Sequence, residues 1–284
     1  MRQELGNKIL IVGLGLIGGS YAQGLKSKGY YVAAISNNPD DLKYAIEHHI
    51  IDEGTTEVTK EYLEKFHLII FALYPKVFVE WIHTYGNMIA DDTIITDVTG
   101  IKSAIVDQIN QVLRPSIEFI PAHPMAGKEV SGVQNADYNI FKSANYIITP
   151  TSNNTKKGLD VARAIGEELE FNHISLLSPQ EHDQMIAFLS QLTHCIAVSL
   201  MCSQASEHLV EYTGDSFRDL TRIARINENM WSELFIMNKN ELLSQIDLFL
   251  KQFVDLRNAI QDENIEKIKE MMILSTERRS YFDK

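Results

Sequence analysis

The feature that most constrains this chain is a glycine-containing turn placed directly after an apolar run. The strand-like residues 8–12 are followed by Gly13, Gly15 and Gly18, and a helix-like stretch then begins. In such a strand–turn–helix unit the glycines permit a tight turn, close approach of a phosphate to the backbone, and close helix–strand packing. A second strand-like stretch at residues 31–35 completes a βαβ spacing. The sequence therefore predicts a dinucleotide-binding turn.

Further cofactor contacts are expected at three positions around this turn. They are Leu16 and Ile17 at the start of the helix, Ser36 and Asn37 after the second strand, and Leu73 and Tyr74 after a third. The second strand ends without an acid to bind a ribose hydroxyl or repel a 2′-phosphate, and without an arginine to attract one. We expect NAD(P)+, with neither form strongly preferred.

Strand-like and helix-like stretches alternate over the first part of the chain. The strand candidates are residues 8–12, 31–35, 68–73, 93–97, 117–121, 145–149 and 172–176. The helical candidates are residues 18–28, 39–48, 76–89, 102–113 and 155–169. This order is typical of a doubly wound, mostly parallel sheet. Residues 1–177 are therefore predicted to form an α/β dinucleotide-binding domain.

The pattern becomes entirely helical from residue 178 onward. Helices are predicted from residue 179 and over residues 216–225, 228–260 and 262–281. The apolar faces of residues 228–260 are broader than a domain of this size can bury alone. We expect residues 178–284 to form an all-α domain for substrate binding and dimerisation, with a homodimer as the assembly.

Composition excludes several classes of function. The net charge of −12 disfavours nucleic-acid and anionic-membrane binding. Polar residues interrupt every apolar run before the roughly 18–20 residues of a membrane span, and the first residues lack the apolar core of a signal peptide. A cytoplasmic protein without a metal site is expected. Cys195 and Cys202 lie too far apart along one predicted helix to form a disulfide. We expect both to be buried thiols.

Three loops follow strands of the predicted sheet, where open α/β sheets bind ligands. His123 in one of them is followed by a proline that fixes its backbone direction. A neutral imidazole there could accept a proton from a substrate hydroxyl, or it could be a structural histidine. Lys102 could bond a cofactor, bond a neighbouring carboxylate, or lie at the surface, and Asp97 at the end of its strand could orient a loop rather than catalyse.

The helical part contributes a second group of candidates. Asp183 and His194 lie on one face of the first helix, too far apart along its axis to be a bonded pair. Arg218, Arg222 and Arg225 form a stripe that could hold carboxylates or could be a solvated face. Trp231 follows and is typical of a core residue.

Together these segments resemble the prephenate and arogenate dehydrogenase family over essentially the full length. The specific segments are 12–20, His123-Pro-Met-Ala-Gly, His182-Asp183 with Ser190 and His194, and residues 217–224 with Met230-Trp231. The resemblance implies a Rossmann-type domain followed by an all-α dimerisation domain. It also implies oxidative decarboxylation of prephenate to 4-hydroxyphenylpyruvate with NAD(P)+, a step of tyrosine biosynthesis.

The resemblance also implies roles for individual residues. It makes His123 the group that polarises the substrate 4-hydroxyl and Arg222 the main residue that binds a substrate carboxylate. It makes His194 a second substrate contact and Asp183 a supporting acid. Arg218 stands where the family often has a basic residue. Lys102 and Trp231 are expected to support the site. A family serine that contacts the 4-hydroxyl is replaced by Gly100, and we expect the adjacent Thr99, a water or His123 alone to compensate.

Three other functions remain open at the level of sequence. Arogenate dehydrogenase performs the same chemistry on an amino-acid side chain. A 3-hydroxyacid dehydrogenase of similar plan would use a helix-borne lysine and would not need the arginines. A dinucleotide sensor without catalysis would keep the fold alone.

Overall fold

A computed structural model describes residues 5–283. The first part is built on a parallel six-stranded sheet in the order β3-β2-β1-β4-β5-β6. Its strands are β1 (Lys8–Val12), β2 (Tyr31–Ile35), β3 (Glu53–Thr55), β4 (Leu68–Phe71), β5 (Ile94–Asp97) and β6 (Glu118–Ile120). The predicted α/β class with a parallel sheet is confirmed. The order in which successive strands are added to the sheet reverses between β1 and β4, and such sheets bind ligands at this switch point.

Helices connect these strands and cover both faces of the sheet. They are α1 (Leu16–Ser27), α2 (Pro39–Glu47), α3 (Lys60–Leu63), α4 (Pro75–Tyr85) and α5 (Ser103–Val112). Ile9 and Ile11 point into one apolar cluster, whereas Leu10 and Val12 point into the other. The continuous apolar sequence of β1 follows from this burial on two faces.

Three later strands form a separate small sheet, which the alternation alone did not predict. It comprises β7 (Ala122–Pro124), β8 (Asn145–Ile148) and β9 (His173–Leu176), with α6 (Lys156–Glu168) before the last strand. β7 runs antiparallel to β8 and pairs His123 with Ile147. The chain leaves the main sheet at Pro121, between β6 and β7, so His123 lies on a paired strand rather than in a free loop.

The helical part begins with α7 (Pro179–Cys202), in which Ala187–Leu192 adopt a π-helical turn. α8 (Leu209–Tyr212), α9 (Asp215–Thr221) and α10 (Glu228–Met237) follow. The helix predicted over residues 228–260 is instead two helices, because it is interrupted at Asn238. The buried side chain of Asn238 donates to Asp183 O and Gln191 Oε1.

α7 is the one helix of the described residues 5–283 whose length and composition alone would allow it to cross a membrane. The sequence predicted no such segment, because polar residues interrupt its apolar runs. Within the helix, His182, Asp183 and Gln191 are buried and hydrogen-bonded. These buried polar contacts attach one face of the helix to the rest of the protein, whereas only 28% of its most apolar stretch is buried.

The described chain divides into two compact units after Asn238. The first contains both sheets and the helices through α10. The second contains α11 (Lys239–Gln261) and α12 (Ile265–Arg279), which pack against each other. Most apolar side chains of these two helices are exposed, among them Leu248, Phe253, Ile265 and Ile273.

Candidate active site

His123 presents one ring nitrogen to a protein partner and leaves the other accessible. Its Nδ1 lies 2.9 Å from Nε2 of His182. Its Nε2 has no hydrogen-bond partner within the described residues 5–283 and lies 3.8 Å from the place where a Cβ on Gly100 would stand. The imidazole is only partly buried. An acceptor of a substrate proton needs such a free nitrogen next to open space.

His182 connects His123 to the buried carboxylate of Asp183. Nδ1 of His182 lies 2.8 Å from Asp183 Oδ1. The same carboxylate accepts the backbone N–H of Lys102 at 2.8 Å and that of Ser103 at 2.8 Å. Asp183 therefore caps the start of α5 from another helix, which fixes α7 against the loop after β5.

A fully buried ion pair lies beneath this network. Lys102 Nζ is 2.7 Å from Asp97 Oδ2 and also donates to Ala122 O, next to His123. The hypothesis that Lys102 bonds a neighbouring carboxylate is thereby supported over a cofactor contact or a surface position. Removal of one partner from a buried ion pair strongly destabilises a protein, because the other charge is left unpaired. Lys102 therefore holds the loop after β5 and β7 together.

The expectation that Thr99 replaces the family serine does not fit its position. The Thr99 hydroxyl contacts Asp97, Ile101 O and Lys102 Nζ, and the side chain is buried. The Thr99 hydroxyl thus faces the Asp97–Lys102 ion pair. Gly100 instead faces His123, and a Cβ there would lie 3.8 Å from Nε2.

Burial and neighbouring charge fix the protonation states of this network. Burial, together with His182 and Lys102, lowers the pKa of His123 well below the ordinary value of 6.5. Burial also lowers the pKa of His182. Although burial opposes it, hydrogen bonds from His182, Lys102 and Ser103 hold the pKa of Asp183 below its usual range. At neutral pH the site has two neutral imidazoles and an ionised Asp183.

A second cluster surrounds His194. Its ring packs against the Trp231 ring at a tilt of 30°, with the centroids 3.7 Å apart, and its Nδ1 lies 2.9 Å from Ser190 O. Burial lowers the pKa of His194, and the positive charge of Arg222 lowers it further. Arg222 forms an ion pair with Glu129, and its side chain is 64% exposed. This arginine can therefore exchange its partner for a ligand carboxylate.

The predicted arginine stripe is not a continuous helical face. α9 ends at Thr221, and Arg222–Ala224 form a short 3-10 turn, after which Arg225 is extended. Arg218 is exposed and pairs with Asp215 at 2.7 Å. Of the three arginines, Arg222 is thus the one placed beside His194.

α10 links the two clusters. Leu234 lies next to Gly100, and Trp231, about one turn earlier on the same helix, packs against the His194 ring. Leu234 also packs with Ile101 and Ile186 in a small apolar cluster. This cluster places apolar side chains next to Gly100, on which His123 also borders.

The turn after β1 has the geometry that a dinucleotide requires. Gly13 has φ of 95°, and a Cβ at Gly18 would lie 1.9 Å from Gly13 O. Gly15 begins α1 without a side-chain cap, and a Cβ there would meet no atom within 4 Å. The open helix N-terminus, which also presents Leu16 and Ile17, fits a pyrophosphate.

The other expected cofactor positions lie at the ends of strands beside β1. Ser36 follows β2, and its Oγ accepts the N–H of Asn38, whereas Asn37 is exposed. Leu73 and the exposed Tyr74 follow β4, which neighbours β1 in the sheet. All these positions are at the carboxyl edge of the sheet, so they fit the extended form of a dinucleotide.

Comparisons with known proteins agree with this arrangement. Residues 21–175 match the family model of the prephenate dehydrogenase nucleotide-binding domain, and residues 178–274 match that of the prephenate dehydrogenase dimerization domain. The chain belongs to the prephenate dehydrogenase family. The family that the sequence motifs suggested is thereby confirmed, together with its NAD(P)-dependent oxidoreductase class.

Individual prephenate and arogenate dehydrogenases are similar to this chain over most of its length. The prephenate dehydrogenase of Lactococcus lactis subsp. cremoris is 31% identical over 92% of this chain and 73% of its own length. The structure of A. aeolicus prephenate dehydrogenase in complex with hydroxyphenyl propionate and NAD+ has a TM-score of 0.88 at 28% identity, covering 98% of both chains. Synechocystis arogenate dehydrogenase has a TM-score of 0.82 at 25% identity, covering 97% of this chain and 99% of its own.

The sequence reasoning assigned no role to His182. The structure makes it the direct partner of His123. The adjacent pair His182-Asp183 was visible, but its contact lies 59 positions away in sequence. Gln191 was also missed, although its Nε2 donates to Leu234 O at 3.0 Å.

Proposed function

We propose that this chain catalyses the oxidative decarboxylation of prephenate to 4-hydroxyphenylpyruvate and CO2 with NAD(P)+. The observation that carries the proposal is Nε2 of His123, which faces Gly100 at a distance of ordinary van der Waals contact from a Cβ placed there, in a chain of this family. Bound at the β1–α1 turn, the cofactor supplies the hydride acceptor.

His123 acts on the 4-hydroxyl of the substrate. Its Nε2 accepts the hydroxyl proton as hydride leaves C4 and the C1–carboxylate bond breaks to release CO2. The proton then returns to the phenol oxygen, so the ring becomes aromatic with no net proton consumed. The low pKa of His123 keeps the imidazole neutral, which lets it accept the proton at neutral pH.

Arg222 binds a substrate carboxylate, and His194 provides a second contact. The guanidinium of Arg222 donates a hydrogen bond to the carboxylate of Glu129. A substrate carboxylate can replace Glu129, because a guanidinium binds any carboxylate through its planar set of donors. Arg218 forms its own pair with Asp215 and contributes mainly positive charge.

The chain is proposed to divide at residues 177/178 into a dinucleotide-binding domain and a helical domain for substrate binding and dimerisation. A homodimer through the helical domain is supported by the exposed apolar side chains of α11 and α12 and by the match to a dimerization domain. A cytoplasmic location fits this class of small-molecule biosynthetic enzyme.

Parallel assays with prephenate and arogenate test the proposal. We expect NAD(P)H and 4-hydroxyphenylpyruvate to form with prephenate. Arogenate dehydrogenase is the second candidate, because a relative of that name shares the fold and because Glu129 could meet an ammonium group beside Arg222. Turnover of arogenate alone, abolished in Glu129→Gln, would select this candidate. Turnover of neither substrate would contradict both.

A further inference from the structure

Three side chains form a hydrogen-bonded chain that ends at the proposed proton acceptor. Asp183 Oδ1 contacts His182 Nδ1 at 2.8 Å, and His182 Nε2 contacts His123 Nδ1 at 2.9 Å. His182 is fully buried, and the two imidazole rings meet edge to face with centroids 5.1 Å apart. The central ring therefore has both nitrogens engaged by protein groups.

The donors along this chain follow from its fixed end. Both oxygens of Asp183 accept backbone N–H groups at the start of α5, so the ionised carboxylate accepts hydrogen bonds only. His182 Nδ1 must then carry the proton, and since the ring is neutral its Nε2 is an acceptor. His123 Nδ1 must donate to that acceptor, which leaves His123 Nε2 unprotonated.

We propose that His182 is a positioning residue that fixes His123 in the Nδ1–H tautomer, so that Nε2 is always the proton acceptor. The inference rests on the proposed function of His123. A histidine in the wrong tautomer has a proton on Nε2 and cannot accept another, which in hydrolytic enzymes is a large kinetic defect.

The use of a histidine at this position has a second consequence. A carboxylate in direct contact with His123 would favour its charged form. His182 instead presents a neutral lone pair, while Lys102, paired with Asp97, adds positive charge nearby. The arrangement fixes the tautomer of His123 without raising its pKa.

The tautomer can be measured in the wild-type protein without substrate. With ¹⁵N-labelled histidine, the nitrogen shifts and couplings distinguish Nδ1–H from Nε2–H, and loss of one signal set in His123→Asn assigns the residue. We expect Nδ1–H for His123. An Nε2–H tautomer would overturn the inference, whether or not the enzyme turns over prephenate.

Two variants test the role in turnover. His182→Leu removes the acceptor, whereas the side-chain oxygen of His182→Gln can still accept from His123 Nδ1–H. We expect the leucine variant to lose about 10²-fold or more in kcat with KM for prephenate nearly unchanged, and the glutamine variant to stay within about tenfold of wild type. His83→Leu, an exposed histidine on α4, controls for the loss of an imidazole elsewhere.

The outcomes separate the positioning role from a structural one and from the proposed function itself. Near-normal kcat in His182→Leu, or an equal loss in a folded His182→Gln, would contradict positioning. If the leucine variant does not fold, the glutamine variant and the wild-type tautomer decide. A wild-type enzyme with the Nδ1–H tautomer but no turnover of prephenate would refute the proposed function and leave the tautomer assignment intact.

Discussion

Arg222 is the side chain on which recognition of the substrate depends in this account. Its exposed pair with Glu129 is worth little by itself, whereas the pair with a bound, desolvated carboxylate is worth about 2–5 kcal/mol. We therefore expect Arg222→Ala to raise KM for prephenate by more than about tenfold, measured by steady-state kinetics. Arg225→Ala should behave as wild type. Loss of dinucleotide binding in Arg222→Ala would instead indicate a structural residue.

Gly100 is the position where the resemblance to the family implies a serine, and the structure shows room for a small side chain there. A Cβ would lie 3.6 Å from Leu234 and 3.8 Å from His123 Nε2, both ordinary contacts. Gly100→Ala should therefore fold with an unchanged melting temperature. Gly100→Ser should exceed the alanine variant in kcat/KM for prephenate, because its hydroxyl can reach the substrate 4-hydroxyl. Equal values for the two variants would remove that contact from the account.

At the scale of elements, the end of β2 determines how the cofactor forms are distinguished. Ser36 and Asn37 carry no charge, and Asn38 is engaged as the cap of α2. Without an acid for the ribose hydroxyls or a base for the 2′-phosphate, we expect less than about a hundredfold preference in kcat/KM between NAD+ and NADP+. Initial rates with each cofactor at saturating prephenate measure this, and a larger preference for either would contradict it.

The elements also show which parts of the molecule a sequence can predict. The strands and the β1–α1 turn depend on local apolar runs and glycines, so their positions were predictable to within a few residues. The side of the chain to which Thr99 points, the break at Asn238 and the partnership of His182 with His123 depend on contacts between distant segments. No local pattern encodes these, which is why Thr99 was misassigned and His182 was missed.

The pH dependence of activity depends on the surroundings of His123. A histidine with an ordinary pKa would lose its neutral, proton-accepting form below about pH 6–7. Burial and Lys102 lower the pKa of His123 well below 6.5, so the neutral acceptor persists to lower pH. The acid limb of the profile of kcat/KM against pH should therefore lie below pH 6.5, and an acid limb at or above pH 6.5 would contradict this.

At the scale of the whole molecule, the exposed apolar surface of α11 and α12 predicts association. Phe253 and Leu250 are 60% and 49% exposed, and such surfaces mark interfaces. We expect sedimentation to give a dimer for the wild-type protein and a smaller species for Phe253→Lys. Ile46→Lys, which changes an exposed apolar residue on α2, should leave the dimer intact. A monomeric wild-type protein would contradict this assembly.

The central claim is that His123 accepts the substrate proton during the oxidation of prephenate. Its most direct test is kcat for NAD(P)H formation in wild type and His123→Asn, with cofactor affinity measured in parallel. A positioned general base contributes about 10²- to 10⁴-fold, so the account predicts a loss of that size with cofactor affinity nearly unchanged. A His123→Asn enzyme that retained near-normal kcat would contradict it.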